Sequence, residues 1–204
     1  MTNILLTSGG LTENMKNIFF SQIKKKKKEI KVLLVPSAGI HTDSAREGVH
    51  ICAYELINMG ILPSNIVLYP LQVLISADYK RTYSEYVENL PLQYRLLSAD
   101  ELSKFDAIFF SGGNAEILMS EMKRTGFGEI VCQSVKNSLF YVGVSAGSMI
   151  GAGNYRDGLR FIENEIEVHC SCKCKAENIT DNRKIELCDG QAIYITENFK
   201  RIIE

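Results

Sequence analysis

Short apolar runs alternate with longer amphipathic stretches along most of the chain. An apolar run that ends at glycine, proline or polar residues is typical of a buried strand, whereas a 3.6-residue apolar period is typical of a helix. These patterns predict strands over 3–7, 30–35, 65–69, 105–110 and 138–142. They predict helices over 12–23, 43–59, 115–123 and 127–137, and a mostly helical stretch over 72–103 that is interrupted at Pro91.

The pattern changes in the last part of the chain, where the apolar segments become shorter. A short buried helix is predicted over 148–152. Strands are expected over 165–170, 184–187, 191–195 and 199–203. The middle two of these should form a closing hairpin around Asp189-Gly190, because Asp-Gly favours a two-residue turn.

Repeated strand–helix units predict an α/β fold, because parallel strands need crossover connections that are usually helical. The expected architecture is a three-layer α/β/α sandwich with a mainly parallel sheet. Residues 1–204 are expected to form a single domain, since no linker or internal repeat is visible. Functional sites of such folds lie at the carboxyl ends of the strands.

Composition narrows the function classes only slightly. The 204 residues are 46% hydrophobic and 23% charged, with a formal net charge of −1, which does not suggest binding to nucleic acid or to a membrane surface. The first six residues are too short and uncharged for a signal peptide, and no apolar stretch approaches the roughly 18 residues of a membrane span. A cytoplasmic location is therefore expected. The five lysines over 24–28 are interpreted as a solvated helix end.

Three of the six cysteines form a cluster after His169, at Cys170, Cys172 and Cys174. Zinc sites usually use C-x-x-C pairs, so this C-x-C-x-C spacing matches a metal site poorly, although an extended segment would align the three sulfurs. Reduced thiols and no metal are the expectation. The other three cysteines are interpreted as small core residues: Cys52, Cys132 and Cys188.

The pentapeptide Gly143-Val144-Ser145-Ala146-Gly147 follows the apolar run over 138–142 and precedes a predicted helix. G-x-S-x-G between a strand and a helix is the pattern of a nucleophile elbow, in which small residues permit a tight turn that exposes the serine oxygen. The start of the next helix offers N–H groups and a positive dipole end where an oxyanion would form. Ser145 is therefore the candidate nucleophile.

A serine nucleophile needs a base, and the chain contains only three histidines. His50 is predicted in mid-helix off the apolar face, which indicates a surface position. His41 follows the second strand and could border a site. His169 lies 24 residues after Ser145, on the more polar face of a predicted strand, and is the best candidate base.

A second glycine-rich turn, Ser111-Gly112-Gly113-Asn114, also follows a predicted strand. Its glycines would let backbone N–H groups approach a ligand, and Asn114 could cap the next helix. The amides of Gly113 and Ala146 would together make an oxyanion hole. A helix-capping turn without a catalytic role is the alternative, and a phosphate cradle is disfavoured because no lysine follows the glycines.

Two related architectures fit less well. An α/β-hydrolase places an acid and then a histidine far downstream of its serine, and only 59 residues follow Ser145 here. A class I glutamine amidotransferase has cysteine at the elbow and a His-x-Glu pair, whereas His169 is followed by Cys170-Ser171.

Four motifs together resemble the peptidase E (aspartyl dipeptidase) family of serine peptidases. They are Phe-Phe-Ser-Gly-Gly-Asn (109–114), Tyr-Val-Gly-Val-Ser-Ala-Gly-Ser (141–148), Gly158-Leu159 with Glu-Val-His (167–169), and Asp-Gly-Gln-Ala-Ile (189–193). The resemblance runs over nearly the whole chain. It implies a flavodoxin-like fold related to class I glutamine amidotransferases, no cofactor, and a Ser-His-acid triad in which Ser145 and His169 match the family's serine and histidine.

The third triad member departs from the family pattern. The best-known members carry glutamate nine residues before the glycine of the Gly-Gln-Ala motif, and the same count from Gly190 leads to Asp181. Asp181 is thus the expected acid, with Glu177 as the alternative. The resemblance also suggests N-terminal Asp-Xaa dipeptides as substrates. Several arginines could read the aspartate carboxylate and none is singled out: Arg46, Arg81, Arg95, Arg156 and Arg160.

The leading hypothesis is a serine peptidase that hydrolyses small peptides through an acyl-enzyme on Ser145. One alternative is an esterase, amidase or cyanophycinase-like hydrolase on the same scaffold, because fold does not fix the substrate. The other is a non-catalytic binding module that retains the elbow, which predicts that no acid lies within hydrogen-bond reach of His169. A small peptide is the expected partner, and a homodimer is left open.

Overall fold

A computed structural model of the chain describes residues 2–87, 89–171 and 175–204. The described strands are β1 (Asn3–Thr7), β2 (Val32–Val35), β3 (Ile66–Leu68), β4 (Ala107–Phe110), β5 (Phe140–Val144), β6 (Ile166–Glu167), β7 (Ile185–Glu186), β8 (Ala192–Thr196) and β9 (Lys200–Ile203). The described α-helices are α1 (Glu13–Ile23), α2 (Asp43–Asn58), α3 (Ala77–Thr82), α4 (Ser84–Val87), α5 (Ala99–Leu102), α6 (Ala115–Thr125), α7 (Phe127–Lys136) and α8 (Ala146–Gly151).

Seven of these strands form the central sheet, in the order β3-β2-β4-β5-β1-β8-β9. The five strands from β3 to β1 run parallel, whereas β8 is antiparallel to β1 and β9 is antiparallel to β8. Helices flank the sheet, so the predicted α/β sandwich with a mainly parallel sheet is confirmed. The loops after β1, β4 and β5 leave the same edge of the sheet, because parallel strands share their carboxyl ends.

Two separate hydrophobic clusters hold the three layers together, because alternate side chains of each strand point to opposite faces. Leu5 of β1 belongs to the cluster that contains Met15 and Phe19 of α1 and Leu56 of α2. Its neighbour Leu6 belongs to the cluster on the other face, with the apolar residues of α6, α7 and α8. Strands β1, β2, β4 and β5 are buried on both faces along almost their whole length, as their continuous apolar runs predict. The edge strand β3 differs, because its Val67 and Leu68 side chains are exposed.

The predicted helical stretch over 72–103 is only partly helical. It contains the short helices α3, α4 and α5, and the turns Leu71–Val73 and Leu92–Tyr94 are 3₁₀. Serine side chains start two of the helices, because Ser76 accepts a hydrogen bond from Tyr79 N–H and Ser98 accepts one from Glu101 N–H. These additional helix starts were not predicted from the sequence.

The predicted hairpin of residues 184–187 and 191–195 is wrong. Strand β7 pairs in parallel with β6 in a separate two-stranded sheet, and β8 pairs with β1 and β9 instead. The reason lies in burial: the first four residues of β8 are all buried, so this strand needs a neighbour on each side and a covered face above and below. The hairpin at the end of the chain is therefore β8–β9, and the expected last strand is β9.

An ion pair between Arg95 and Glu101 fixes the segment that precedes α5. This pair should make the stability of the protein depend on pH in the acidic range. The two nitrogens Nη1 and Nη2 of Arg95 donate to Glu101 Oε2 and Oε1 at 2.8 and 2.7 Å. The hydrogen bonds from Arg95 lower the pKa of Glu101 to about 2, below its value in an unfolded chain. The ionised carboxylate of Glu101 thus stabilises the folded state above pH 4.5, and this stabilisation is lost as the pH falls toward 2.

We expect Glu101→Gln to lower the free energy of unfolding at pH 7 by about 1–2 kcal/mol, because a charge-assisted pair is lost. The deficit should shrink between pH 4.5 and pH 2, where the wild type loses the same pair. Urea unfolding of both proteins across this range measures it. A deficit that stays constant with pH would contradict the assignment.

Candidate active site

The elbow has the backbone strain expected of an exposed nucleophile. Ser145 stands between β5 and α8 with φ of 50° and ψ of −105°. A positive φ is unusual for a residue other than glycine, and such strain persists only where the surroundings enforce it. The Ser145 N–H donates to the carbonyl of Thr7 at 3.0 Å, which ties the turn to the end of β1. Ser145 is therefore held at the carboxyl edge of the sheet.

Two glycines of the elbow are required by close backbone approach. A Cβ atom on Gly143 would lie 2.6 Å from the carbonyl carbon and oxygen of Gly147. A Cβ atom on Gly147 would lie 2.5 Å from the carbonyl oxygen of Phe110 in β4. Helix α8 thus starts directly against β4 and β5, which is why the sequence has small residues on both sides of the serine.

Gly143→Ala is expected to lower the free energy of unfolding by about 3 kcal/mol or more, because the new methyl group meets backbone atoms that cannot rotate away. Gly48→Ala is the matched control. Gly48 lies inside α2 with no atom within 4 Å of its added Cβ, so alanine should stabilise the protein there by about 0.4–1 kcal/mol. Thermal and urea unfolding compare the two variants, and equal effects would refute the packing argument.

The structure brings the predicted serine and histidine together. His169 Nε2 lies 3.0 Å from Ser145 Oγ, within hydrogen-bond distance. On the other side of the ring, Nδ1 lies 2.7 Å from Asp189 Oδ1. The side chains of His169 and Asp189 are 52% and 68% exposed, so solvent and substrate reach the group directly. The three side chains have the connectivity of a nucleophile, a base and an orienting acid.

The acid in contact with His169 is Asp189, not the predicted Asp181. The Asp181 carboxylate lies near Arg183, which also pairs with the alternative acid Glu177. Among the described hydrogen bonds and ion pairs, neither carboxylate contacts His169. Counting nine residues back from Gly190 thus does not lead to the carboxylate that contacts His169.

The pairing of β7 with β6 is what brings Asp189 to His169. This carboxylate comes directly after the segment that contains β7, and β7 runs parallel to β6, which leads to His169. Carboxyl ends of paired parallel strands meet at one edge, so residues that follow β6 and β7 are neighbours. The interpretation of Asp189-Gly190 as a hairpin turn did not predict this proximity, because it paired β7 with β8 instead of β6.

The second glycine-rich turn lies against the nucleophile. A Cβ atom on Gly112 would lie 3.4 Å from Ser145 Cβ and 3.9 Å from its Oγ. Gly113 has φ of 134°, and a Cβ atom there would lie 2.2 Å from the carbonyl oxygen of Ala38. Only glycine fits at position 113, so the turn presents bare backbone beside Ser145. The role of Gly113 as an oxyanion donor stays a prediction.

The other two residues predicted around the oxyanion are both at helix starts. Asn114 caps α6, because its Oδ1 accepts hydrogen bonds from the N–H groups of Glu116 and Ile117 at 2.9 and 3.1 Å. Ala146 is the first residue of α8 and directly follows Ser145. N–H groups of a first helical turn lack partners within the helix and point out of its end. The binding roles of Asn114 and Ala146 stay predictions.

The buried thiol of Cys52 lies near the second glycine-rich turn. Burial raises the pKa of Cys52 to about 11, the carboxylate of Glu55 acts in the same direction, and a hydrogen bond from the Gly112 backbone acts against them. Cys52 therefore stays neutral and serves as the small core residue that the sequence predicts. Cys188 is also buried, whereas Cys132 is half-buried.

The remaining candidates lie away from the catalytic group or outside the described residues. His50 is exposed, as predicted, and exposed His41 has its Nε2 3.1 Å from Gln72 Nε2. Within residues 2–87, 89–171 and 175–204, no cluster of three or more His, Cys, Asp or Glu side chains could hold a metal ion. Cys172 and Cys174 lie outside the described residues, so the interpretation of that cysteine cluster is left open.

Comparison with known proteins matches part of this chain to a peptidase family. The sequence model of "Peptidase family S51" matches residues 86–161. An uncharacterized peptidase of Pasteurella multocida is 37% identical over 71 residues, which is 34% of this chain and 34% of that protein. "Peptidase E" of Streptomyces coelicolor is 40% identical over 55 residues, which is 27% of this chain and 23% of that protein.

The resemblance to the peptidase E family is confirmed. An uncharacterized peptidase of Listeria monocytogenes extends the matched region, with 31% identity over 106 residues, or 51% of this chain and 47% of that protein. The matches thus span about a quarter to a half of the length of these curated relatives.

Solved structures related to peptidase E share the whole fold. A crystal structure from Listeria monocytogenes, described as a peptidase E protein, has a TM-score of 0.68 and covers 100% of this chain and 98% of its own, at 17% identity. A peptidase from an acI-B1 actinobacterium has a TM-score of 0.60, covers 100% of this chain and 87% of its own, and is 15% identical. At these identities the likeness concerns the fold alone.

In the described part of the chain, no helix is long and apolar enough to cross a bilayer.

Proposed function

We propose that this peptidase E relative is a serine hydrolase that cleaves small peptides through an acyl-enzyme formed on Ser145. The observation that carries the proposal is the continuous contact from Ser145 Oγ to His169 Nε2, at 3.0 Å, and from His169 Nδ1 to Asp189 Oδ1, at 2.7 Å. The matched peptidase family S51 supports the same class of reaction. The contact with Asp189 also counts against a non-catalytic module, which predicts no acid beside His169.

In the proposed reaction, Ser145 Oγ attacks the scissile carbonyl while His169 Nε2 takes its proton. Asp189 holds the ring through Nδ1 and stabilises the imidazolium that forms. The backbone N–H groups of Gly113 and Ala146 are the proposed donors to the oxyanion. His169 then gives the proton to the leaving amine, and water hydrolyses the acyl-enzyme by the same route in reverse.

The proposed substrate class is a short peptide, and the resemblance to the peptidase E family makes Asp-Xaa dipeptides the first to test. Four of the five arginines considered for the aspartate carboxylate pair with a nearby acid, which leaves their positive charge partly satisfied. They are Arg46, Arg81, Arg95 and Arg160. No contact of the described residues assigns one of the five to the substrate, so the preference has to be measured.

Intact-mass analysis after treatment with a fluorophosphonate tests the activated serine, and a substrate panel tests the class. We expect one adduct per wild-type chain, at Ser145, and cleavage of Asp-Xaa dipeptides in preference to other dipeptides and simple esters. Labelling with hydrolysis of esters alone would favour the esterase or amidase alternative. No adduct and no turnover would reject the proposal in favour of a binding module.

A further inference from the structure

The two-stranded sheet of β6 and β7 contains an irregularity at His169. Ile185 N–H donates to Glu165 O at 2.9 Å and Leu187 N–H donates to Glu167 O at 2.8 Å, as in a regular parallel ladder. The next regular bond would join His169 N–H to Leu187 O. The acceptor is taken by Cys170 N–H instead, at 3.0 Å.

His169 is thus an extra residue in the ladder. Its φ is 59°, in the left-handed region that is uncommon for residues other than glycine. One inserted residue of this kind is a β-bulge, which leaves its own N–H unpaired and turns its side chain to a new direction. Here the turned side chain is the imidazole that contacts Ser145.

The displaced N–H of His169 has one specific acceptor, the hydroxyl of Ser8. The distance from His169 N to Ser8 Oγ is 2.7 Å, and Ser8 is completely buried. Ser8 Oγ also lies 3.1 Å from Asp189 Oδ1 and 3.2 Å from Leu187 O. A hydroxyl has one proton, so it accepts from His169 and donates to one of these two oxygens at a time.

The loop that carries Ser8 is itself fixed. Ser8 N–H donates to Gln191 O at 3.0 Å, and Leu11 N–H donates to Glu55 Oε1 at 2.9 Å. A Cβ atom on Gly9 would lie 3.1 Å from Asp189 Oδ1, so the loop backbone packs against the carboxylate. The hydroxyl therefore stands at a defined position between the base and the acid.

We propose that Ser8 is a positioning residue, whose hydroxyl holds the His169 bulge and the Asp189 carboxylate so that the imidazole faces Ser145. The expected effect of Ser8 on turnover rests on the proposed function. Without the hydroxyl, the His169 N–H loses its acceptor, and the regular bond to Leu187 O becomes the better alternative. In a ladder without the bulge, His169 takes the regular extended conformation, and its imidazole is no longer turned toward Ser145.

The test compares Ser8→Ala with Ser37→Ala. Ser37 is an equally buried serine whose hydroxyl accepts a backbone N–H, from Leu71 at 2.8 Å, but it has no described contact with His169 or Asp189. We expect Ser8→Ala to lower kcat and the rate of fluorophosphonate labelling by about 10–100-fold with KM changed by less than about threefold, because a lost hydrogen bond and a misplaced base act on the chemical step. Ser37→Ala should stay within about twofold of the wild type in these rates.

Two NMR signals test the position of His169 without relying on activity. In Ser8→Ala the His169 backbone amide should lose its protection from hydrogen exchange, and the low-field Nδ1–H signal of the bond to Asp189 should disappear. Wild-type rates, a protected amide or an unchanged signal in this variant would overturn the proposal. If Ser8→Ala does not fold, Ser8→Cys replaces it, because a thiol has a similar shape and accepts hydrogen bonds weakly.

Failure of the proposed function gives a different result. A wild-type protein that neither labels nor hydrolyses any substrate rejects the hydrolase assignment, while the two NMR signals still decide whether Ser8 positions His169.

Discussion

Replacing Ser145 by alanine is expected to lower peptide hydrolysis by about 10⁶-fold and to abolish fluorophosphonate labelling. The reason is that Ser145 Oγ lies within hydrogen-bond distance of His169 Nε2, at 3.0 Å, in a strained turn between β5 and α8. His169→Ala should have an effect of similar size, because an unactivated serine hydroxyl is a weak nucleophile.

The two losses should not add. A Ser145→Ala, His169→Ala double variant should be no slower than either single variant within about tenfold, since the residues of a triad act as one unit. Ser21→Ala, on the exposed part of α1, is the control and should hydrolyse substrate at the wild-type rate. More than about 1% of wild-type turnover in purified Ser145→Ala would exclude this serine as the nucleophile.

Asp189→Asn is expected to reduce kcat by about 10³–10⁴-fold, whereas Asp181→Asn should leave it within about twofold of the wild type. Asparagine keeps the shape at position 189 but has no charge to stabilise the imidazolium, and its amide group favours the wrong ring tautomer. Asp181 makes no described contact with His169, and its carboxylate lies beside Arg183. Steady-state kinetics of the two variants with the best peptide substrate provide the measurement.

This pair of variants separates the acid seen in the structure from the acid inferred by residue counting. The reverse result, with Asp181→Asn inactive and Asp189→Asn active, would mean that the His169–Asp189 contact is not the catalytic one. Activity in both variants would mean that the exposed imidazole works without a carboxylate partner. Unfolding curves of each variant keep a loss of fold from being mistaken for a loss of catalysis.

The elbow and several strands of the central sheet could be predicted from the sequence because their signals are local. A strand buried on both faces must be a continuous apolar run, so β1, β4 and most of β5 were visible as such. A turn in which Gly143 and Gly147 approach within van der Waals contact must have glycine there, and this requirement is written in the pentapeptide itself. Ser145 and His169 followed because few histidines were available as a base.

The parts that the sequence left open, or led us to assign wrongly, depend on contacts between distant segments. Asp189 became the partner of His169 only because β7 pairs with β6 rather than with β8, and no local pattern distinguishes those pairings. The same holds for Ser8, which lies 161 residues from His169 and reads as an ordinary turn residue until the strands are assembled. The sequence by itself thus determined the layers of the fold and the candidate nucleophile and base, because strand burial and tight turns are encoded by neighbouring residues. Only the tertiary structure identified Asp189 as the carboxylate beside His169 and Ser8 as the hydroxyl between them. The reason is that sheet pairing brings these side chains together from distant parts of the chain.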